Sequence, residues 1–144
     1  MSDSLYDHDF YAWTREQAAL LRAGRFSAAD MEHIAEEIES MGRSEKRELV
    51  SRLCVLLLHL LKWHFQPGRR GSSWEAAITV HRDDLADHLR DNPSLKTGLG
   101  EPIAAAYRKA AILAAGETGL PRGTFPAQCP WTSAQIMDEG FWPA

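Results

Sequence analysis

The sequence has little cysteine, no long apolar run and no surplus of basic residues. Its 144 residues include two cysteines, Cys54 and Cys129, and no Cys-x-x-Cys pair, which favours a reduced, cytoplasmic compartment over a disulfide scaffold. The longest apolar run, Leu53–Leu58, is far shorter than the ~20 residues that span a bilayer. The N-terminus lacks the basic start and apolar stretch of a secretory signal. We therefore expect a cytoplasmic protein that makes no membrane contact.

Alternating apolar and polar segments bounded by turn residues, which are typical of half-buried β-strands, are also missing. Apolar residues recur instead at helical spacing along most of the chain. The length suits one domain with a single hydrophobic core. We predict an all-α fold, one domain over residues 1–144, built as a small bundle of about five main helices with an irregular aromatic C-terminal tail.

The third predicted helix, about 44–66, is apolar on nearly all sides from Leu49 to Phe65. Such a helix is covered by neighbours on several sides, so we predict that it is central.

The first helix is expected to end near Gly24, and the fifth to run from about Leu95 to Gly116 with a late start or a kink at Pro102. Helix starts are predicted at the capping boxes Ser27–Asp30 and Ser72–Glu75. The second helix carries an apolar stripe that Gly42 is expected to interrupt: Met31, Ile34, Ala35, Ile38 and Met41.

Charge is distributed unevenly along the chain. Residues 1–42 carry nine acidic and three basic side chains, whereas residues 43–70 carry seven basic and two acidic ones. An acidic helix two lying antiparallel beside helix three would neutralise the basic segment, and this internal pairing is the preferred interpretation. The alternative is a site for an anion or a single-stranded nucleic acid, because arginines near aromatic rings bind phosphates and stack on bases. Its candidate residues are Lys62, Trp63, Arg69, Arg70 and Trp74.

Nucleic acid is therefore a possible partner that the sequence does not favour. The net charge of −4 argues against a dedicated duplex-DNA binder, which usually carries a strong basic surplus.

A second candidate site lies on the fourth helix. His81, Asp84 and His88 are spaced three and four residues apart, so they share one side of a helix. Two imidazoles and a carboxylate suit zinc or iron, which raises the hypothesis of a metal-dependent hydrolase. The alternative, which the neighbouring aspartates favour, is that these histidines are surface or interface residues. His33 and Glu36 are also three residues apart, but a solvated acidic face explains them.

Nothing in the sequence predicts a catalytic residue or a cofactor. A nucleophile elbow, a phosphate loop and a dinucleotide glycine fingerprint are all absent. Five tryptophans are a high count, and tryptophan is a frequent anchor of protein interfaces. The aromatic face of helix one or the tail pair Phe141–Trp142 could dock a second copy. We predict a non-enzymatic interaction or accessory protein that self-associates and has a possible further protein partner.

A set of motifs in fixed order resembles a known bacterial family, catalogued as domain of unknown function twenty-nine, over nearly the whole chain. The resemblance implies an all-helical single domain and no defined activity, so it transfers no catalytic residue. The motifs are Phe10–Trp13, Ile34–Met41, Leu58–Trp63, Ser72–Trp74, Asn92–Leu95, Thr118–Leu120, Phe125–Pro130 and Phe141–Pro143.

Overall fold

The computed structural model describes residues 4–144, and in that range the regular elements are helices alone. The all-α prediction is therefore confirmed. Short 3-10 turns occupy Pro67–Arg69, Pro93–Gly98 and Arg122–Thr124. The α-helices are α1 (Leu5–His8), α2 (Phe10–Arg22), α3 (Met31–Phe65), α4 (Ser72–Asp91), α5 (Gly100–Thr118) and α6 (Ser133–Met137).

Helix α3 continues through Gly42, where the sequence had predicted an interruption. A single glycine costs a helix interior only about 1 kcal/mol, and good helix formers surround this one. The predicted helices two and three are therefore successive parts of one 35-residue helix. The prediction that they lie antiparallel, with the acidic part neutralising the basic part, is wrong for this reason.

Both predicted capping boxes are also wrong. Helix α3 begins three residues later than expected, because Asp30 rather than Ser27 accepts the backbone N–H of His33 at 3.3 Å. Gly71 precedes α4 without a side-chain cap. A capping box does form at Thr132, whose hydroxyl accepts the backbone N–H of Gln135 while the Gln135 side chain accepts that of Thr132.

Helix α5 shows the predicted late start, with residues before it in a 3-10 turn. Its end lies at Thr118 rather than near Gly116, because Gly119 supplies the left-handed cap at a φ of 74°.

The chain divides into two compact units, residues 1–44, described from residue 4, and residues 45–144. The prediction of a single domain over residues 1–144 stays a prediction. In the first unit the buried residues are Trp13 and Gln17. Asp30 organises them: its carboxylate accepts the Trp13 indole N–H at 3.3 Å, and its backbone N–H donates to the Gln17 amide oxygen at 2.7 Å.

The second unit contains the hydrophobic core, and the leucine-rich part of α3 lies at its centre as predicted. Small side chains on α5, such as Ala106, Ala110 and Ala114, are fully buried, which lets the helices approach closely. No helix among the described residues is long and apolar enough to cross a bilayer. The fully buried α3 and α4 residues of this core are Leu49, Leu56, Leu57, Leu60, Leu61, Ile78 and Leu85.

The C-terminal tail packs onto this core, and Trp131 and Trp142 contact it. Buried Arg82 on α4 donates through Nε to the carbonyl of Ile136 at 2.9 Å, which satisfies a free carbonyl at the end of α6. The same guanidinium lies 5.7 Å from the ring centroid of Trp142. Trp142 in turn packs against Trp63, with ring centroids 4.8 Å apart. The tail is thus fixed by one buried cation and a tryptophan pair.

We expect Leu57→Ala to lower the free energy of unfolding of the second unit by about 2–5 kcal/mol, because it removes fully buried methyl groups and leaves a cavity. Urea denaturation monitored by circular dichroism measures this. Leu113→Ala on α5 is the matched control: Leu113 is largely exposed, so its loss should change stability by less than about 0.5 kcal/mol. Equal losses in the two variants would contradict the assigned core.

Candidate functional site

The predicted anion site contains a lysine that is already paired. Lys62 is 14% exposed, and its ammonium lies 2.9 Å from a carboxylate oxygen of Glu117 on α5. It also lies 5.1 Å from the ring centroid of Trp74. The internal partner of this cation is therefore Glu117, and not a carboxylate of the acidic helix segment that the sequence suggested.

The two arginines of the same predicted site differ in their surroundings. Arg70 donates through Nε to the Trp63 carbonyl at 2.8 Å and through a terminal nitrogen to the Pro143 carbonyl at 3.3 Å. Its guanidinium also stacks on the Trp63 ring at 5.0 Å. Arg69 lies exposed in the turn before α4. Of the predicted cations, Arg69 is thus the one most open to solvent, while Arg70 connects α3 to the tail.

The predicted metal set on α4 is distributed among different neighbours. His81 packs against His59, with ring centroids 5.5 Å apart, and Asp84 lies 3.8 Å from Arg52. His88 is 7% exposed, and its Nε2 donates to the Glu45 carbonyl at 2.9 Å. That bond leaves only Nδ1 of His88 as a possible ligand atom.

His88 lies nearer to carboxylates of α3 than to the other predicted ligands. Its free ring nitrogen lies 3.7 Å from the Glu45 carboxylate, and ligand atoms of Glu45, Glu48 and His88 all lie within 4.8 Å of one another. Glu48 is held by Arg52 at 2.7 Å, so a cation already occupies part of this cluster. The metal hypothesis stays a prediction, with Glu45 and Glu48 as the α3 carboxylates closest to His88.

The first unit contains a separate polar cluster around Asp30. The Asp30 carboxylate lies 2.7 Å from Nδ1 of His33, and the His33 ring stacks on Tyr6 at 3.9 Å. This hydrogen bond raises the pKa of His33 and lowers the pKa of Asp30. A hydrogen bond from Tyr6 to Glu37 raises the pKa of the phenol to about 12. These contacts position α1 against the start of α3.

A cleft of about 1080 Å³ lies in the second unit, between α5 and the tail segment from Arg122 to Ser133. The charged side chains that line it are Arg108 and Arg122. Its Cys129 thiol donates weakly to the Trp131 carbonyl at 3.5 Å, and burial raises the pKa of this thiol. The thiol is therefore protonated at neutral pH and is a poor nucleophile.

Residues 5–142 match the family described as domain of unknown function DUF29. The chain belongs to this family. No curated protein and no solved structure matches it. The resemblance that the ordered motifs indicated is therefore confirmed, and the family description names no activity.

Sequence reasoning missed the cleft of this DUF29 chain, because Arg108 and Arg122 lie in segments that show no dense basic pattern. A detectable signal did exist on α5. Ala104, Arg108 and Ala111 are spaced four and three residues apart, which places them on one helix face. The same pattern also fits an ordinary solvent-exposed face, so it does not identify a site.

We expect Arg70→Ala to lower the free energy of unfolding by about 1–3 kcal/mol, because two carbonyls lose their charged donor. Chemical denaturation measures the change. Arg69→Ala, the adjacent substitution on an exposed side chain, should stay within about 0.5 kcal/mol of the wild type. A cost at Arg69 equal to that at Arg70 would show that the contacts of Arg70 do not hold the tail.

The structure also predicts opposite titration shifts for two histidines. His33 should titrate above its ordinary pKa of 6.5, because the Asp30 carboxylate accepts a hydrogen bond from its protonated ring, whereas burial and the neighbouring His59 place the pKa of His81 below 6.5. The His33–Asp30 contact therefore stabilises the first unit fully below pH 6.5, and its contribution disappears as pH rises through the raised pKa. At acid pH the stabilisation from this contact is lost when Asp30 is protonated, which occurs as pH falls from the ordinary aspartate pKa of 3.8 through the lowered pKa of Asp30.

Histidine ring signals followed by NMR over pH 4–9 measure both pKa values directly. Asp30→Asn is the matched variant, since asparagine can still cap α3 while it removes the charge. The pKa of His33 should fall in this variant, and that of His81 should not change. A His33 pKa that is the same in both proteins would contradict the assigned contact.

Proposed function

We propose that this protein is a non-enzymatic interaction protein that self-associates through the first unit. The observation that supports this is the imbalance between buried and exposed apolar residues there. Among residues 4–44 only Trp13 and Gln17 are buried. Units of about 40 residues rarely bury enough surface to be stable alone and usually need oligomerisation, metals or disulfides. The large apolar side chains left exposed in this unit are Leu5, Phe10, Tyr11, Phe26, Met31, Ile38 and Met41.

The apolar stripe of α3 is the favoured contact surface within this unit. Ile38 is 63% exposed and Met41 is 67% exposed, although the helical spacing of the stripe is typical of a buried face. Met31, 45% exposed, continues the same stripe toward the start of the helix. Rows of exposed apolar residues on one helix face mark interaction surfaces more often than solvated ones.

Charge along the stripe favours a second copy as the partner. Glu32 lies beside the first residue of the stripe and Arg43 lies past its end, both exposed. Two copies related by a two-fold axis at Ile38 would run antiparallel, so Arg43 of one copy would lie level with Glu32 of the other. A parallel arrangement would instead place like charges together.

The C-terminal aromatic pair, one of the two docking surfaces that the sequence suggested, is less suited to this role. Trp142 is half-buried against Trp63 and Arg82, so it already serves the core of the second unit. The basic segment remains an alternative binding surface for anions or nucleic acid, but Lys62 and Arg70 are engaged by Glu117 and by backbone carbonyls. The protonated Cys129 also supports a non-enzymatic role, and the two free thiols fit a reduced cytoplasm.

We expect the wild-type protein to form a dimer and Ile38→Glu to raise the dimer dissociation constant at least about tenfold, because it removes one buried apolar side chain and adds a charge at the axis. Sedimentation velocity over a range of protein concentrations measures this.

Val80→Glu on α4 is the matched control. Val80 is 53% exposed, and the substitution adds the same charge to another helix, so this variant should dimerise like the wild type. A wild type that stays monomeric at millimolar concentration would refute self-association. A dimer that dissociates in Val80→Glu but not in Ile38→Glu would refute the α3 stripe as its surface.

A further inference from the structure

The cleft between α5 and the tail carries positive charge without neighbouring acidic groups. Arg108 and Arg122 line it, and no aspartate or glutamate side chain does. Among the ion pairs formed by residues 4–144, none involves either arginine. By contrast, Lys62, Arg52 and Arg90 each face a carboxylate. Two guanidinium groups that share one cleft without a carboxylate partner favour an anionic ligand there.

Apolar side chains form much of the remaining wall of the cleft, together with the polar side chains of Gln128 and Ser133. Ile103, Phe125 and Trp131 contribute to its walls, and Ala104 and Ala111 leave space along α5. Its volume of about 1080 Å³ is at the upper end of the range for small-molecule pockets, which are mostly apolar with a few polar groups that fix orientation. The tail wall is held in place, since the Tyr107 hydroxyl donates to the Pro126 carbonyl at 2.7 Å and Phe125 packs against Phe65. The cleft is therefore formed before any ligand binds.

We propose that this cleft binds a small organic carboxylate with an apolar body, the head group on Arg108 and Arg122 and the body along Phe125 and Trp131. Guanidinium groups bind carboxylates through paired, charge-assisted hydrogen bonds, while the aromatic walls remove the aliphatic or aromatic body from water. Binding is non-covalent and reversible. The site is independent of the α3 stripe, so it does not depend on self-association.

Octanoate is the probe that combines both features, and isothermal titration calorimetry on the full chain measures its binding. We expect saturable binding of octanoate at one site. Octanol, which keeps the chain and lacks the charge, and acetate, which keeps the charge and lacks the chain, should each bind at least about tenfold more weakly. Octanol binding as tightly as octanoate, or an absence of saturable octanoate binding, would overturn the proposal.

Variants of the residues that line the cleft locate the site. Arg108→Gln and Arg122→Gln should each weaken octanoate binding by about tenfold, and Ala104→Phe should weaken it by filling the cleft without a change of charge. Lys109→Gln is the control, because Lys109 is an exposed cation next to Arg108 that does not line the cleft. The octanoate affinity of this variant should stay within about twofold of that of the wild type, because the charge of an exposed lysine is screened by water. If Lys109→Gln weakened octanoate binding as much as Arg108→Gln, the effect would come from the net charge of the protein, and the assigned site would be wrong.

Discussion

The leucine-rich part of α3 is apolar around most of its circumference, and such a helix is stable in water only when neighbours cover most of its sides. Helices α4 and α5 and the tail supply that cover in the second unit, where Leu56, Leu57 and Leu60 have no exposed surface. The other features of this unit follow from the same requirement. Arg82 and the tryptophan pair hold the tail against the core, and the cleft forms where the tail passes the alanine-rich side of α5.

The two units satisfy their polar and apolar groups in different ways. The second unit buries its apolar side chains and engages several of its cations with carboxylates or backbone carbonyls, as Lys62 with Glu117 shows. The first unit relies on one carboxylate, Asp30, which caps α3 and binds Trp13 and His33 at the same time. A unit held by polar contacts around few buried side chains leaves its apolar residues available for a partner, which is why self-association and ligand binding are assigned to different parts of the chain.

Much of the fold could be predicted because the decisive signals are local. Helical spacing identified the fold class and the central position of the leucine-rich segment, and Pro102 indicated the late start of α5. The errors have local causes as well. Gly42 was given more weight than its cost of about 1 kcal/mol justifies, Asp30 and not Ser27 caps α3, and Ser72 is already the first residue of α4. Capping depends on which backbone N–H groups are left free, and that is decided only when the helix start is known.

By itself, the sequence determined that the chain is helical and which helix is interior, because the spacing of apolar side chains shows which helix faces are buried. The ordered motifs also determined its family. Only the tertiary structure decided how the charged groups are used. Lys62 meets Glu117 across 55 residues of sequence, and Arg70 reaches the carbonyl of Pro143, while Arg108 and Arg122 have no acidic neighbour in their cleft. Ion pairs and hydrogen bonds depend on the distance between groups in the folded structure, and the order of residues along the chain does not specify that distance.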